Sequence, residues 1–355
     1  MFSFTRRHGG HKDSANELRS SIARRAARAV ALSPVAFCAL SLVALCAPAA
    51  AAVAGQPPAA DSSREQSQQQ SITQAQAELY ERWRANINRN QTLAHEAGRD
   101  YLGRYPEPGE YAAHVRRWVT AYERESRKLE FLRLFKSQKY PELFRVGEQV
   151  LAEEPEHLKT IIHLAYAGYL AAGQGDDSFG EAALAHARRA VLLVDSGRAS
   201  DWQPFADQQD ALGHLHFVIG ELSIKSDPEE AARLFRRAVE IGGAVGRTPV
   251  LYSRLAAAYV ADRYEPLSKD YESRYAGREP SDESRAALTK VNAVVDLVID
   301  AYARAVAFAG DDPRYAEARR RWSDELTRFY KFRHNGTTDG LEAFITGITA
   351  KPLPQ

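Results

Sequence analysis

Residues 220–238 read GELSIKSDPEEAARLFRRA. Asp227-Pro228 divides the stretch. An aspartate accepts from the orphan N–H groups of a helix start, and the fixed φ of proline suits the first helical position. A helix therefore opens at Pro228, and the apolar residues ahead of Asp227 belong to the helix before it. In the new helix Ala231, Phe235 and Ala238 are spaced four and three apart, so they share one face. Two small residues on either side of an aromatic let a second backbone come close while the ring fills the wedge beside it. Gly220, in the preceding helix, offers that close approach. Neither helix of such a pair can bury its apolar face alone, so pairs must stack.

The spacing recurs along the chain. Val298-x3-Tyr302-x2-Ala305 repeats it inside VIDAYARAVAFAGDDP, residues 298–313. Ala183-x3-Ala187-x2-Ala190 follows Gly168 and lacks the aromatic, and Leu143-x3-Gly147-x2-Val150, ending at Pro155, is a looser copy. Tyr252-x2-Leu255-Ala256-x2-Tyr259 reads as the first helix of a pair whose second helix arrives late, beyond an insertion at residues 262–284.

This series resembles the tetratricopeptide repeat (TPR) family, helical hairpins of about 34 residues with small residues at the crossing. The resemblance covers roughly residues 120–310. It implies an all-α fold, a right-handed α-solenoid of antiparallel helix pairs. A helical segment at 71–119 would precede it, and capping helices and a tail at 311–355 would close it. First helices line the binding groove in this family, which by alignment assigns Tyr169, His214, Phe217, Glu221, Ser253 and Ala257 to the groove. The Lys and Asn with which some members hold a C-terminal carboxylate have no counterpart here, so no ligand is named.

Outside the repeats, turn signals separate further helical stretches, and no segment shows strand-like alternation. Ser71-Ile-Thr-Gln74 has the form of a capping box. Residues 55–70, GQPPAADSSREQSQQQ, carry no large apolar side chain and read as a disordered spacer. Asn335-Gly336 reads as the left-handed end of a long helix, and residues 339–346 as a short helix covering the end of the stack. The chain has 355 residues and a net charge of +1, unevenly spread. Residues 1–54 hold seven Lys/Arg against two acids, and the remainder holds 40 basic and 44 acidic residues. A mildly acidic body offers no footprint for a phosphate backbone, so nucleic acid is not an expected partner.

The basic N-terminus leads into an uncharged apolar stretch, residues 29–54, closing on Ala52-Val53-Ala54. That is the form of a secretory signal peptide cleaved near Gly55; the competing reading is an uncleaved membrane anchor. Both cysteines, Cys38 and Cys46, lie in this stretch, so the exported body would contain neither disulfide nor thiol site. Export to the periplasm or surface of a bacterium is the expected localisation.

Motifs for chemistry are missing. His214-x-His216 places its rings on divergent faces of a helix and cannot chelate one metal. His163 and His186 read as interior or groove residues. Gly173-Gln-Gly175 ends a helix and does not open a phosphate loop. Glu125-Ser126 sits among charges in YERESRKLE, as a solvated helix face does. No metal, cofactor or catalytic residue is expected. Tyr264, Tyr271 and Tyr275 in the 262–284 insertion, amid Arg and Glu, suit either a recognition surface or a lid packed on the stack. The expectation is a non-enzymatic scaffold that binds a protein or peptide partner; the alternative is a helical periplasmic receptor for a small molecule, associated with transport.

Overall fold

The structure, a computed structural model, describes residues 59–197 and 201–354. The expected signal segment 1–54, with both cysteines, lies outside the described residues. Every regular element among the described residues is helical, and no strand occurs. No described helix is long and apolar enough to cross a membrane. The chain divides into two compact units, Met1–Glu130 and Phe131–Gln355.

The first unit is built from α1 (Ala59–Asn86), α2 (Gln91–Arg104) and most of α3 (Glu110–Lys136). Here the sequence reading needs correction. Helix α1 starts at Ala59, so residues 59–70 of the expected spacer are helical and Ser71–Gln74 lies inside a helix and not at its start. Absence of apolar residues argues against packing but not against helix. Ala, Gln, Glu and Arg lose little freedom in a helix, and no Gly or Pro interrupts residues 59–86. Helix α2 opens at Asn90, whose side chain accepts from the Leu93 N–H at 3.2 Å. The core of this unit is aromatic: Trp83, Tyr101 and Trp118 are buried with Ala94, Ala97, Val115 and Val119. A Cβ on Gly98 would stand 2.6 Å from Val119 Cγ2, so glycine lets α2 and α3 close on each other. The division between units falls within α3, eleven residues beyond the boundary read from the sequence.

The second unit continues through α4 (Tyr140–Glu153), α5 (Leu158–Gly173), α6 (Gly180–Asp195), α7 (Gln208–Ser223) and α8 (Pro228–Ile241). Then come α9 (Pro249–Tyr259), α10 (Glu265–Tyr275), α11 (Asp282–Ala309), α12 (Ala316–Arg333) and α13 (Leu341–Ile348). From α4 to α9 each helix packs on the next, and α5 also touches α7. Helix α9 then pairs with α11, which packs on α12 and α13 in turn. One continuous apolar core runs through the unit. This is an all-α, helical-repeat-like architecture.

The local signals explain these elements. Asp227 caps α8 by accepting from the Glu230 N–H at 2.8 Å, with Pro228 at its start. Of the spaced positions, Ala183, Ala187, Ala190, Ala231, Phe235, Ala238, Val298 and Ala305 are fully buried, and Tyr302 is partly buried against the same core. Gly147 is pressed between two neighbours, since a Cβ there would meet Leu164 Cδ2 at 2.8 Å and Phe131 Cε2 at 2.9 Å. Asn335 and Gly336, at φ 54° and 85°, turn the chain after α12. Helix α13 then lies on α11 with Ile348 buried.

The 262–284 insertion is folded. A five-residue π turn, Val260–Tyr264, joins α9 to α10, and α10 packs on α11. The insertion ends at a capping box formed by Ser281 and Ser284, which opens α11.

Candidate binding face

The six groove residues expected from the sequence fall on α7, α5 and α9, and the structure separates them into two groups. Tyr169 on α5 is half-buried and meets Phe217 of α7 edge-on, with ring centroids 5.7 Å apart. Phe217 in turn packs on Phe235 at 5.8 Å and is itself buried, so it belongs to the interior and not to an open groove. Ser253 is likewise buried, its Oγ donating to the Val250 carbonyl at 2.9 Å. Ala257 is half-buried with no polar group to offer. The covering of Phe217 and Ser253 has one cause. Helix periodicity tells which side faces a neighbouring pair, but neighbouring first helices pack closely enough to cover part of that side.

What stays open is a strip carried by three first helices and one loop. Tyr166 lies beside Tyr169 at 5.6 Å and edge-on to Phe205 at 6.2 Å. Phe205, from the segment between α6 and α7, stacks on His214 at 4.6 Å. His214 Nδ1 stands 2.9 Å from the Asp210 carbonyl. A carbonyl only accepts, so Nδ1 carries the proton, and Nε2 of the neutral ring remains an acceptor. Asp210 anchors this corner, accepting from the Ala244 N–H at 3.0 Å and donating its own N–H to Asp207 Oδ1 at 2.8 Å.

The charged end of the strip is Glu221 of α7 paired with Arg254 of α9, Oε1 to Nε 3.0 Å. The Glu221 side chain is only 9% exposed, whereas that of Arg254 is 49% exposed. Burial pushes the Glu221 carboxyl above its ordinary range, and Arg254 pulls it partly back. Burial also raises the Tyr169 hydroxyl, with the Glu221 charge adding to the effect. Tyr302 on α11 is raised by burial as well, and the Arg254 charge acts on it too. Arg254 therefore sits among Tyr169, Glu221 and Tyr302 as the solvent-accessible cation of the face, with phenols that remain protonated donors.

Sequence reasoning missed Tyr166, Phe205 and Arg254. Tyr166 had a signal, standing three residues before Tyr169 on the same helical face. Phe205 had none, because it lies in a loop without periodicity. Arg254 resembles any solvated arginine until Glu221 is placed opposite.

The tyrosines of the insertion do not join this strip. Tyr264 is edge-on to Phe329 of α12 at 5.1 Å, Tyr271 packs on the core, and Tyr275 lies against Tyr271 at 5.5 Å. Tyr264 and Tyr271 are thus packed against the second unit while staying partly exposed. The interior histidines are also accounted for. His163 is buried against Phe135 and donates from Nδ1 to the Lys159 carbonyl at 2.7 Å, with burial driving its pKa down to about 4. His186 Nε2 meets Glu148 Oε1 at 2.9 Å.

Among the described residues, no group of three or more His, Cys, Asp or Glu could hold a metal ion. An open cavity of about 620 Å³, lined by Gly242, Gly243, Ala244, Gly246, Arg247, Phe308 and Thr349, adjoins the Asp210 corner of the strip through Ala244. No family model, no curated protein and no solved structure matches this chain.

Proposed function

We propose that this chain is an exported, TPR-like scaffold that binds a protein or peptide partner without catalysing a reaction. In this reading the helix pairs of the second unit form a right-handed solenoid. The partner lies on the face of the first helices. The observation that supports it is the strip Tyr166–Tyr169–Phe205–His214 ending at Arg254: half-buried rings beside a cation held in place by a buried carboxylate. Rings held by neighbours lose little entropy on binding, and an arginine beside them reads carboxylates and carbonyls on a peptide.

The test is photocrosslinking in the envelope fraction from residue 166, with Leu192, exposed on α6, as the control position. A specific adduct should form from 166 and not from 192. Introducing Tyr169→Ala with Arg254→Gln should abolish it while leaving helical content unchanged, since truncating an aromatic anchor commonly costs about 2 kcal/mol of binding. Adducts from 192 alone, or adducts indifferent to the double variant, would remove the proposal. Export is tested separately: terminal sequencing of the mature chain should begin near Gly55.

A further inference from the structure

The last residues of the chain are gripped as a peptide ligand would be. After α13 the tail Lys351–Pro352–Leu353–Pro354 crosses the second unit, and three of its four carbonyls accept from arginines of two different helices. Arg304 of α11 donates from Nη2 to the Lys351 carbonyl at 3.0 Å and to the Pro352 carbonyl at 2.8 Å. Arg236 of α8 donates from Nη1 to the Pro354 carbonyl at 2.6 Å and to the Tyr259 hydroxyl at 3.0 Å. Leu353, between them, packs on the apolar core.

The receiving groups are also held by partners outside the tail. Arg304 is almost fully buried and is aimed by Asp300, whose Oδ1 accepts from Nε at 2.7 Å. Arg236 is braced by Tyr259, itself buried at the end of α9. The result is a slot that presents guanidinium donors at both ends of an apolar seat. The chemistry of the occupant matches. Proline lacks an N–H and fixes φ, so a segment with proline at alternate positions is extended and nearly acceptor-only. Such a segment satisfies arginine donors without leaving its own donors unpaired. None of these contacts involves base-like, anionic or apolar-only recognition; the arginines read main-chain carbonyls. Selectivity then rests on Leu353 and on the proline spacing.

We propose that this slot, bounded by Arg236, Tyr259 and Arg304, is a second peptide-binding site, and that the chain's own tail occupies it as a releasable competitor. The occupant it takes in trans is an extended peptide with proline on both sides of an apolar residue. The slot lies on α8, the end of α9 and α11, so the proposal stands independently of the strip centred on Tyr169 and Arg254.

The probe is the labelled heptapeptide TAKPLPQ, which copies residues 349–355. It is titrated by fluorescence polarisation against the full chain and against the chain shortened to end at Ala350. The shortened chain should bind saturably, at least tenfold more tightly than the full chain. Arg236→Ala in the shortened chain should weaken binding at least fivefold, as should Leu353→Ser in the probe. Tyr169→Ala with Arg254→Gln should leave probe binding unchanged. If the shortened chain loses its helical content, the full-length variant Leu353→Ser with Pro354→Gly takes its place and should bind the probe more tightly than the parent. A folded, open-slot chain that ignores the probe would overturn the proposal. So would equal binding by the full chain, indifference to Arg236→Ala, or unfolding of both tail variants, which would make the tail an obligatory part of the core.

Discussion

Two neighbouring helix pairs solve the same crossing differently. In the α7/α8 pair Gly220 lies under the Phe235 ring: a Cβ there would meet Cε1 at 2.5 Å and two more ring carbons at 2.9 Å. In the α5/α6 pair the residue at the aromatic position is Ala187, and the backbones draw together instead. A Cβ on Gly168 would fall on Ala183 Cβ, closer than real Cβ atoms approach, with the Phe179 carbonyl oxygen at 3.2 Å. The first pair is held by a ring in the wedge, the second by small residues in direct contact. The spacing motif thus defines a crossing that tolerates either filling, a ring against the glycine or an alanine and a backbone carbonyl against it.

The contrast can be broken most severely at the ring. Phe235→Ala should leave a cavity that the fully buried site cannot close, with a loss of about 3–5 kcal/mol in chemical denaturation. Were the loss to fall well below this range, α7 and α8 would be able to collapse to the spacing of α5 and α6.

Acid should act on the tighter pair next. His163 precedes Gly168 by the same interval as Leu215 precedes Gly220, and both are buried. The folded pKa of His163, about 4, lies below the ordinary 6.5, so the unfolded chain takes up the proton first as pH falls. Its contribution is therefore complete above pH 6.5, declines between 6.5 and 4, and is flat below. The full span is about 3 kcal/mol at 1.36 kcal/mol per unit. His163→Leu, which copies α7, should flatten that part of the stability–pH curve, and an unchanged curve would relocate the acid sensitivity to another group.

Gly168→Ala should cost about 2–3 kcal/mol by overpacking, even after the gain in helix propensity, because a neighbouring Cβ and a backbone carbonyl cannot swing aside. Gly220→Ala should cost less, about 1 kcal/mol, because the obstacle is a side-chain ring and not a backbone carbonyl. Thermal melts of the two variants side by side give the order. Equal losses, or the reverse order, would show that the ring and the alanine contact are equally rigid.

The helix boundaries and small-residue crossings were legible because they are local. Small residues at intervals of four and three, an Asp-Pro at a helix start and an Asn-Gly at a helix end act within one or two turns. The candidate face was legible only in part. Tyr169 and His214 were found where a first helix presents them, but Phe217 and Ser253 share that helical side and are covered by neighbours. Residues 59–70 were misread for the converse reason: composition reports whether a segment can pack, while helix formation needs only compatible backbone preferences.

By itself, the sequence determined the helices, their caps and the small-residue seams along which they pair, since each depends on residues close together in the chain. Only the tertiary structure decided that α10 lies down as a helix on α11, that Glu221 faces Arg254, and that Arg236 and Arg304 hold the chain's end. The physical reason is range. Those contacts join groups many turns apart, from Arg236 to Pro354 in the longest case, and a guanidinium or carboxylate carries no mark in a local pattern of the partner it will meet.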